Sequence, residues 1–101
     1  MTIKFINEAE LAEFILEGRL DSLTVAETEK HLMDTVRKHN FKTVVINFGE
    51  LQYVSSAGLR VFMKLYMYLK KNGCELCAKD IPQSIMDVFE MTGFISLFKF
   101  I

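Results

Sequence analysis

The stretch TVVINFGELQYVSSAGLRVFMKLYMYLKK, residues 43–71, decides the fold. Residues 43–48 are β-branched and continuously apolar at their centre, which is typical of a strand in the middle of a sheet. After a short loop, apolar residues recur every three or four positions from 57 to 71, which predicts a helix that ends at Asn72-Gly73. A buried strand followed by an amphipathic helix indicates an α/β domain.

The rest of the chain extends this pattern in both directions. We predict further strands over residues 2–6, 11–17, 74–78 and 97–101, with Gly18 breaking the second strand, and further helices over residues 24–38 and 82–93. Thr24 and Glu27 have the spacing of a capping box at the start of the first helix. The order β-β-α-β-α-β-α-β predicts one α/β domain over residues 1–101, with a mixed sheet and helices packed mainly on one face.

Composition and charge exclude several classes of function. The chain has 101 residues, a net charge of −1 and 25% charged residues, without the basic footprint that a nucleic-acid binder needs. No apolar run approaches the roughly 20 residues of a membrane helix, and residues 1–5 do not resemble a secretion signal. Two cysteines without an export signal indicate the reducing cytoplasm. We therefore expect a cytoplasmic protein with no membrane insertion and no direct nucleic-acid contact.

The histidines and cysteines do not form a catalytic constellation. His31 and His39 lie eight positions apart on one predicted helix, without the further ligands of a zinc site, and we interpret them as solvated. Cys74 and Cys77 have the spacing of a redox pair, but a strand directs such positions to opposite faces, which predicts one buried and one partly exposed thiol. These residues form no enzyme active site, and we expect no metal and no cofactor.

The second long helix carries more apolar surface than docking on a sheet requires. Leu59, Met63 and Met67 fall on a strip outside its main apolar stripe, beside a basic edge that includes Arg60 and Lys64. Flexible thioethers suit adaptable contacts with a partner. The strip is either a docking surface or is buried against a neighbouring helix, and the residues alone leave both interpretations open.

Residues 55–59, Ser-Ser-Ala-Gly-Leu, begin this helix directly after a strand and loop. Serine at a helix start is ordinarily a cap. However, the whole arrangement resembles a STAS domain of the kind found in bacterial anti-sigma factor antagonists. Residues 17–21, Glu-Gly-Arg-Leu-Asp, are similar to that family's Gly-x-Leu-Asp motif, and residues 82–94 resemble its third helix and Thr-Gly stop. The resemblance covers nearly the whole chain.

The resemblance implies a binding module that is switched by phosphorylation. Ser56 matches the serine that is phosphorylated by a kinase doubling as the anti-sigma factor. The unmodified protein would sequester that factor and thereby free a sigma factor, and a phosphatase would be a further partner. Asp21 matches a residue beside the phosphorylation loop. We expect partner contacts from Asp21, Ser55, Gly58, Leu59, Arg60, Met63 and Met67.

Three features depart from the family pattern. Asn47 stands in place of an acid at the end of the central strand, and Ser55 in place of an acid often found before the phosphorylated serine. The chain stops at Ile101, where family members usually continue into a final helix, and the resulting apolar edge predicts weak self-association. The alternative function is a STAS subunit that is not phosphorylated and regulates the ATPase of an ABC-type lipid transporter, in which the serine only caps.

Overall fold

A computed structural model describes all 101 residues. The elements are β1 (Thr2–Glu8), β2 (Leu11–Leu20), α1 (Val25–Lys38), β3 (Thr43–Asn47), β4 (Leu51–Val54), α2 (Ser56–Lys71), β5 (Glu75–Lys79), α3 (Gln83–Thr92), a 3₁₀ turn (Phe94–Leu97) and β6 (Lys99–Phe100). The α/β class, the mixed sheet and the three helices are as the sequence predicted.

The six strands form one mixed sheet with the order β1-β2-β3-β5-β6, while β4 pairs with the end of β2. Only the β1–β2 pair is antiparallel, and the other pairs are parallel. Along β2 the buried residues Ala12, Phe14 and Leu16 alternate with more exposed ones. This alternation means that the helices cover one face of the sheet and that no helix packs on the other face.

Four phenylalanines join the helices to the sheet at the centre of the core. Phe48 follows β3, Phe62 belongs to α2, Phe89 to α3, and Phe98 precedes β6. The ring of Phe48 is 5.4 Å from those of Phe62 and Phe89 and 5.6 Å from that of Phe98, in edge-to-face geometry. Such aromatic pairs contribute about 0.5–1.5 kcal/mol each beyond their buried area. They fix the α2 and α3 helices over the carboxyl end of β3.

The prediction that Gly18 breaks the second strand is wrong. Gly18 has a φ of +113°, which only glycine adopts easily, and the pairing register between β2 and β4 shifts between Gly18 and Arg19. The strand passes through this irregularity and continues to Leu20. The additional strand β4, which the sequence analysis treated as loop, pairs with this continuation.

The predicted capping box at the start of α1 is not formed. Thr24 occupies the N-cap position, but its side chain makes no cap hydrogen bond. Its hydroxyl instead donates to the carbonyl of Arg19 at 2.7 Å and accepts from the backbone N–H of Asp21 at 3.1 Å. The threonine therefore closes the turn between β2 and α1 rather than the first turn of the helix.

Close packing at Gly58 sets the position of α2. A Cβ atom at this position would lie 2.8 Å from Leu20 Cγ, 3.0 Å from Leu20 O and 3.0 Å from Val54 Cγ2. Distances under 3.0 Å do not occur for real Cβ atoms, so only glycine lets the helix approach the ends of β2 and β4 this closely. The first turn of α2 is thereby held against the end of the sheet.

We predict that Gly58→Ala destabilises the protein. Glycine to alanine inside a helix ordinarily stabilises by up to about 1 kcal/mol. Here the added methyl group must displace Leu20 or the backbone, and we expect a net loss of about 1–3 kcal/mol. Chemical denaturation of both proteins measures the difference, and an unchanged or raised stability would show that the close packing is not a constraint.

Candidate functional site

Ser55 has a structural role at the start of α2. Its side-chain oxygen accepts a hydrogen bond from the N–H of Gly58 at 3.1 Å, and its own N–H donates to the carbonyl of Leu20 at 2.9 Å. The first bond caps the helix, and the second joins the helix start to the end of β2. A half-buried serine with both bonds is poorly placed to react.

Ser56 is the exposed member of the serine pair. It is the first residue of α2 and lies outside the cap that Ser55 forms. The first turn of α2 contains no acidic residue, and the amino end of a helix carries a partial positive charge. The position therefore combines access from solvent with an electrostatic environment that favours an anion.

Asp21 is held in the turn that precedes α1. One carboxylate oxygen accepts from the N–H of Leu23 at 3.0 Å, and the other lies 3.7 Å from Nε of Arg19. The guanidinium of Arg19 in turn lies 4.4 Å from the ring centre of Tyr53 on β4. Asp21 thus organises its own turn and is linked to the serines through its neighbour Leu20. Its predicted contact with a partner stays a prediction.

The exposed face of α2 forms a narrow ridge beyond Ser56, which we call the α2 ridge and which consists of Ser56, Arg60, Met63 and Met67. Arg60 is exposed, Met63 is half-buried, and Met67 is 63% exposed. These positions recur every three or four residues and therefore lie along one side of the helix. The ridge presents a hydroxyl, a cation and two thioethers in succession.

Two residues predicted to contact a partner are buried. Leu59 is only 6% exposed and belongs to the main core cluster, so the strip of Leu59, Met63 and Met67 is not a continuous surface. Gly58 is buried by its packing on Leu20. The buried apolar face of α2 is wider than packing on the sheet alone requires, because the helix also packs on α1 and on the 3₁₀ turn.

Asn47 organises the loop between β3 and β4. Its side-chain carbonyl accepts from the N–H of Gly49 at 2.9 Å, while its NH₂ group donates to Glu13 at 3.2 Å and to Asp80 at 3.5 Å. An amide is suited to this place because it donates to both carboxylates. The departure from an acid at this position therefore has a local structural reason.

The two cysteines are both buried, so the predicted partly exposed thiol is wrong. Cys74 precedes β5 and packs in the main core, and Cys77 lies on the helix-free face near Glu75 and Lys99. Burial is the largest cause that raises the pKa of each thiol, and the nearby Glu75 carboxylate adds to it. Such thiols stay protonated and react slowly.

The rest of the surface contains no second cluster of candidate functional residues. His31 and His39 are exposed, as predicted, and no three His, Cys, Asp or Glu side chains converge in a way that could hold a metal ion. A cavity of about 360 Å³ lies at the carboxyl ends of α1 and α2, and none of the predicted site residues lines it. No helix has the length and apolar character needed to cross a membrane.

A comparison with known proteins identifies the family of this chain. Residues 5–101 match the STAS domain family, and the chain belongs to that family. It is 35% identical over 83 residues to a Bordetella bronchiseptica protein named "Putative anti-sigma factor antagonist BtrV", covering 82% of this chain and 71% of that one.

Two solved structures show the same fold. The Thermotoga maritima protein TM1081 superposes with a TM-score of 0.89 at 11% identity, covering 97% of this chain and 84% of that one. The Bacillus cell fate determinant SpoIIAA in its phosphorylated form superposes with a TM-score of 0.76 at 16% identity, covering 99% and 91%. At these identities the superpositions establish the fold.

Sequence reasoning missed the contact between Arg19 and Tyr53 beside the site. The pair depends on β4, which places Tyr53 directly opposite Arg19 in the parallel ladder. The four residues of β4 are too few to give a strand signal, and they do not alternate, since Leu51 and Val54 are buried and the two residues between them are exposed. The exposed Leu23, in the turn after Asp21, was also not singled out.

We predict that Asn47→Asp destabilises the protein in a pH-dependent way. The new carboxylate would face two carboxylates, Glu13 and Asp80, and one ammonium, Lys79, which lies 3.8 Å from Glu13 and offsets part of the repulsion. The excess of negative charge holds its folded pKa above the ordinary value of about 3.9. The penalty, about 1–3 kcal/mol, is therefore present at neutral pH and disappears as the pH falls below that ordinary value. Thermal unfolding from pH 3 to 8 measures it. The exposed Asn7→Asp variant is the matched control, and equal pH profiles for the two variants would contradict the prediction.

Proposed function

We propose that this protein is a cytoplasmic anti-sigma factor antagonist whose binding is switched at Ser56. The unmodified protein holds an anti-sigma factor that is also a serine kinase, and phosphorylation of Ser56 releases it. The observation that carries the proposal is the exposure of Ser56 at the first position of α2, at one end of the α2 ridge. The name of the Bordetella relative supports the same class of function.

A phosphate on Ser56 leaves the domain folded. Phosphoserine carries a charge of about −1.5 to −2 at pH 7. The amino end of α2 favours an anion, and the cap bond from Gly58 to Ser55 does not involve the Ser56 side chain. Because Ser56 is exposed, the phosphate remains in water and makes no clash with the core.

The same phosphate opposes partner binding. A partner surface that fits the neutral α2 ridge must desolvate Ser56. A phosphate of about −1.5 to −2 charges keeps a net negative charge even when one cation pairs with it, and burying that charge costs several kcal/mol. Arg60 stands one helical turn after Ser56, at the spacing that allows side chains to meet. It pairs with the phosphate within the same chain and is thereby withdrawn from the partner. The charge of the phosphate and its pairing with Arg60 therefore both weaken partner binding.

The α2 ridge also explains how the unmodified protein binds. Met63 and Met67 supply adaptable apolar contacts, and Arg60 supplies a charge at their edge. Arg19 and Asp21 flank Leu20, whose carbonyl accepts the N–H of Ser55 at the start of α2, and they extend the surface beyond the serine. Binding therefore uses a convex surface and needs no ligand cavity.

We predict that phosphoserine incorporated at position 56 during translation weakens binding of the cognate kinase-type anti-sigma factor at least about thirtyfold, the effect of a net negative charge buried in the interface. Its melting temperature should match that of the unmodified protein. Isothermal titration calorimetry and thermal unfolding on the same samples measure both quantities. The cognate kinase with ATP should label the unmodified protein, and Ser56→Ala should abolish the labelling while retaining binding.

Ser84 provides the matched control for this experiment. It is exposed in the first turn of α3, so phosphoserine there adds the same charge in a similar helical setting outside the α2 ridge. Binding should be unchanged in the Ser84 sample. Equal weakening by both modified proteins, or labelling of Ser55 alone, would overturn the assignment of Ser56. Absence of labelling by any cognate kinase would favour a STAS subunit of a transporter.

We predict that Met67→Glu weakens partner binding without loss of stability. Met67 is 63% exposed, so the free protein should change by no more than about 0.5 kcal/mol, while the complex gains a buried unpaired charge. Met91→Glu is the matched control because Met91 is 85% exposed on α3. Comparable affinities for the two variants would show that the α2 ridge is not the docking surface.

A further inference from the structure

The β1 strand forms a long open edge of the sheet. It contains seven residues and pairs with β2 alone, in a continuous register from Thr2 opposite Glu17 to Glu8 opposite Leu11. Alternate residues of such an edge direct both backbone N–H and C=O groups away from the sheet, where another strand can pair with them. The strand contains no proline and no register shift that would block pairing.

The side chains of β1 fall into two sets. Ile3 and Phe5 lie opposite Leu16 and Phe14 and therefore point toward the helices. Alternation then places Lys4, Ile6 and Glu8 on the helix-free face. Ile6 is 42% exposed there, between a cation and an anion.

We propose that β1 pairs antiparallel with β1 of a second copy of this chain, about a two-fold axis at Ile6. In this register Ile6 lies opposite Ile6 of the second copy. Lys4 lies opposite Glu8 of the second copy, and Glu8 lies opposite its Lys4. The sequence of β1 is thus complementary to itself, with two cross-strand ion pairs flanking an apolar contact on the same face. The two sheets become one continuous sheet through the dimer.

Lys4 is able to serve this contact although it already has a partner. Its Nζ lies 2.9 Å from Glu17 of the same chain, and this carboxylate raises the pKa of the lysine. A lysine ammonium has three N–H donors, so it can bridge Glu17 and Glu8 of the second copy. The lysine therefore remains charged and positioned at the edge.

Pairing of β1 with β1 in a closed dimer suits this edge better than pairing of β1 with β6 in an open chain of molecules. The opposite edge of the sheet is β6, which has only two residues, Lys99–Phe100. Pairing of β1 with β6 would give a ladder of at most two residues and an open chain of molecules, whereas β1 with β1 about Ile6 pairs residues 4–8 of both copies and gives a closed dimer. One strand pair buries little surface, so the dimer is weak and depends on concentration.

Charge exchange at positions 4 and 8 tests both the dimer and its register. Sedimentation equilibrium should show reversible dimerisation of the unmodified protein at concentrations up to about 1 mM. Glu8→Lys or Lys4→Glu alone places like charges opposite each other twice, and the dissociation constant should rise about tenfold. An equimolar mixture of the two variants should form a heterodimer at least as tight as the unmodified dimer, because every facing pair is then oppositely charged.

Matched controls separate this register from general charge effects. Glu90→Lys and Lys71→Glu make the same charge changes at exposed helix positions and should leave dimerisation unchanged. Hydrogen exchange should show that alternate β1 amides gain protection as concentration rises. A protein that stays monomeric throughout, a mixture of the two β1 variants that does not associate, or protection confined to other elements would overturn the proposal.

Discussion

The approach of α2 to the end of the sheet at Gly58 is the constraint on which the rest of the site depends. Any side chain there would collide with Leu20 or Val54. Once the helix is seated, the carbonyl of Leu20 accepts the N–H of Ser55, and the hydroxyl of Ser55 caps the helix. The backbone of β2 therefore determines where α2 begins, and with it which serine faces solvent.

This arrangement divides two tasks between adjacent serines. Ser55 stabilises the start of the helix, and Ser56, one residue later, is exposed to solvent, where the proposed modification would occur. A charge added at Ser56 changes the surface at the end of the α2 ridge while the bonds that seat the helix stay intact. The division gives a physical basis for a proposed switch that acts on binding rather than on folding.

The fold class could be predicted because residues 43–71 contain strong periodic signals over a long segment, whereas Ser56 was singled out by the resemblance to STAS domains and not by periodicity. The amino-acid sequence did not reveal β4 or the continuation of β2 through Gly18, since both depend on a register shift between distant segments. A helical wheel could not show that Leu59 is buried, because α2 packs against helical neighbours as well as the sheet. The roles of Asp21 and Asn47 became clear only from their hydrogen bonds.

The most direct test of the central claim compares amide NMR spectra of the protein with serine and with phosphoserine at position 56. If the phosphate is accommodated at the amino end of α2, the shift changes should be confined to residues 54–60, including Arg60, and the neighbouring turn at Asp21. Amides of β3 and β5, in the centre of the sheet, should not move. Shift changes spread through those strands would mean that phosphorylation alters the fold, which would contradict a switch that acts only at the surface.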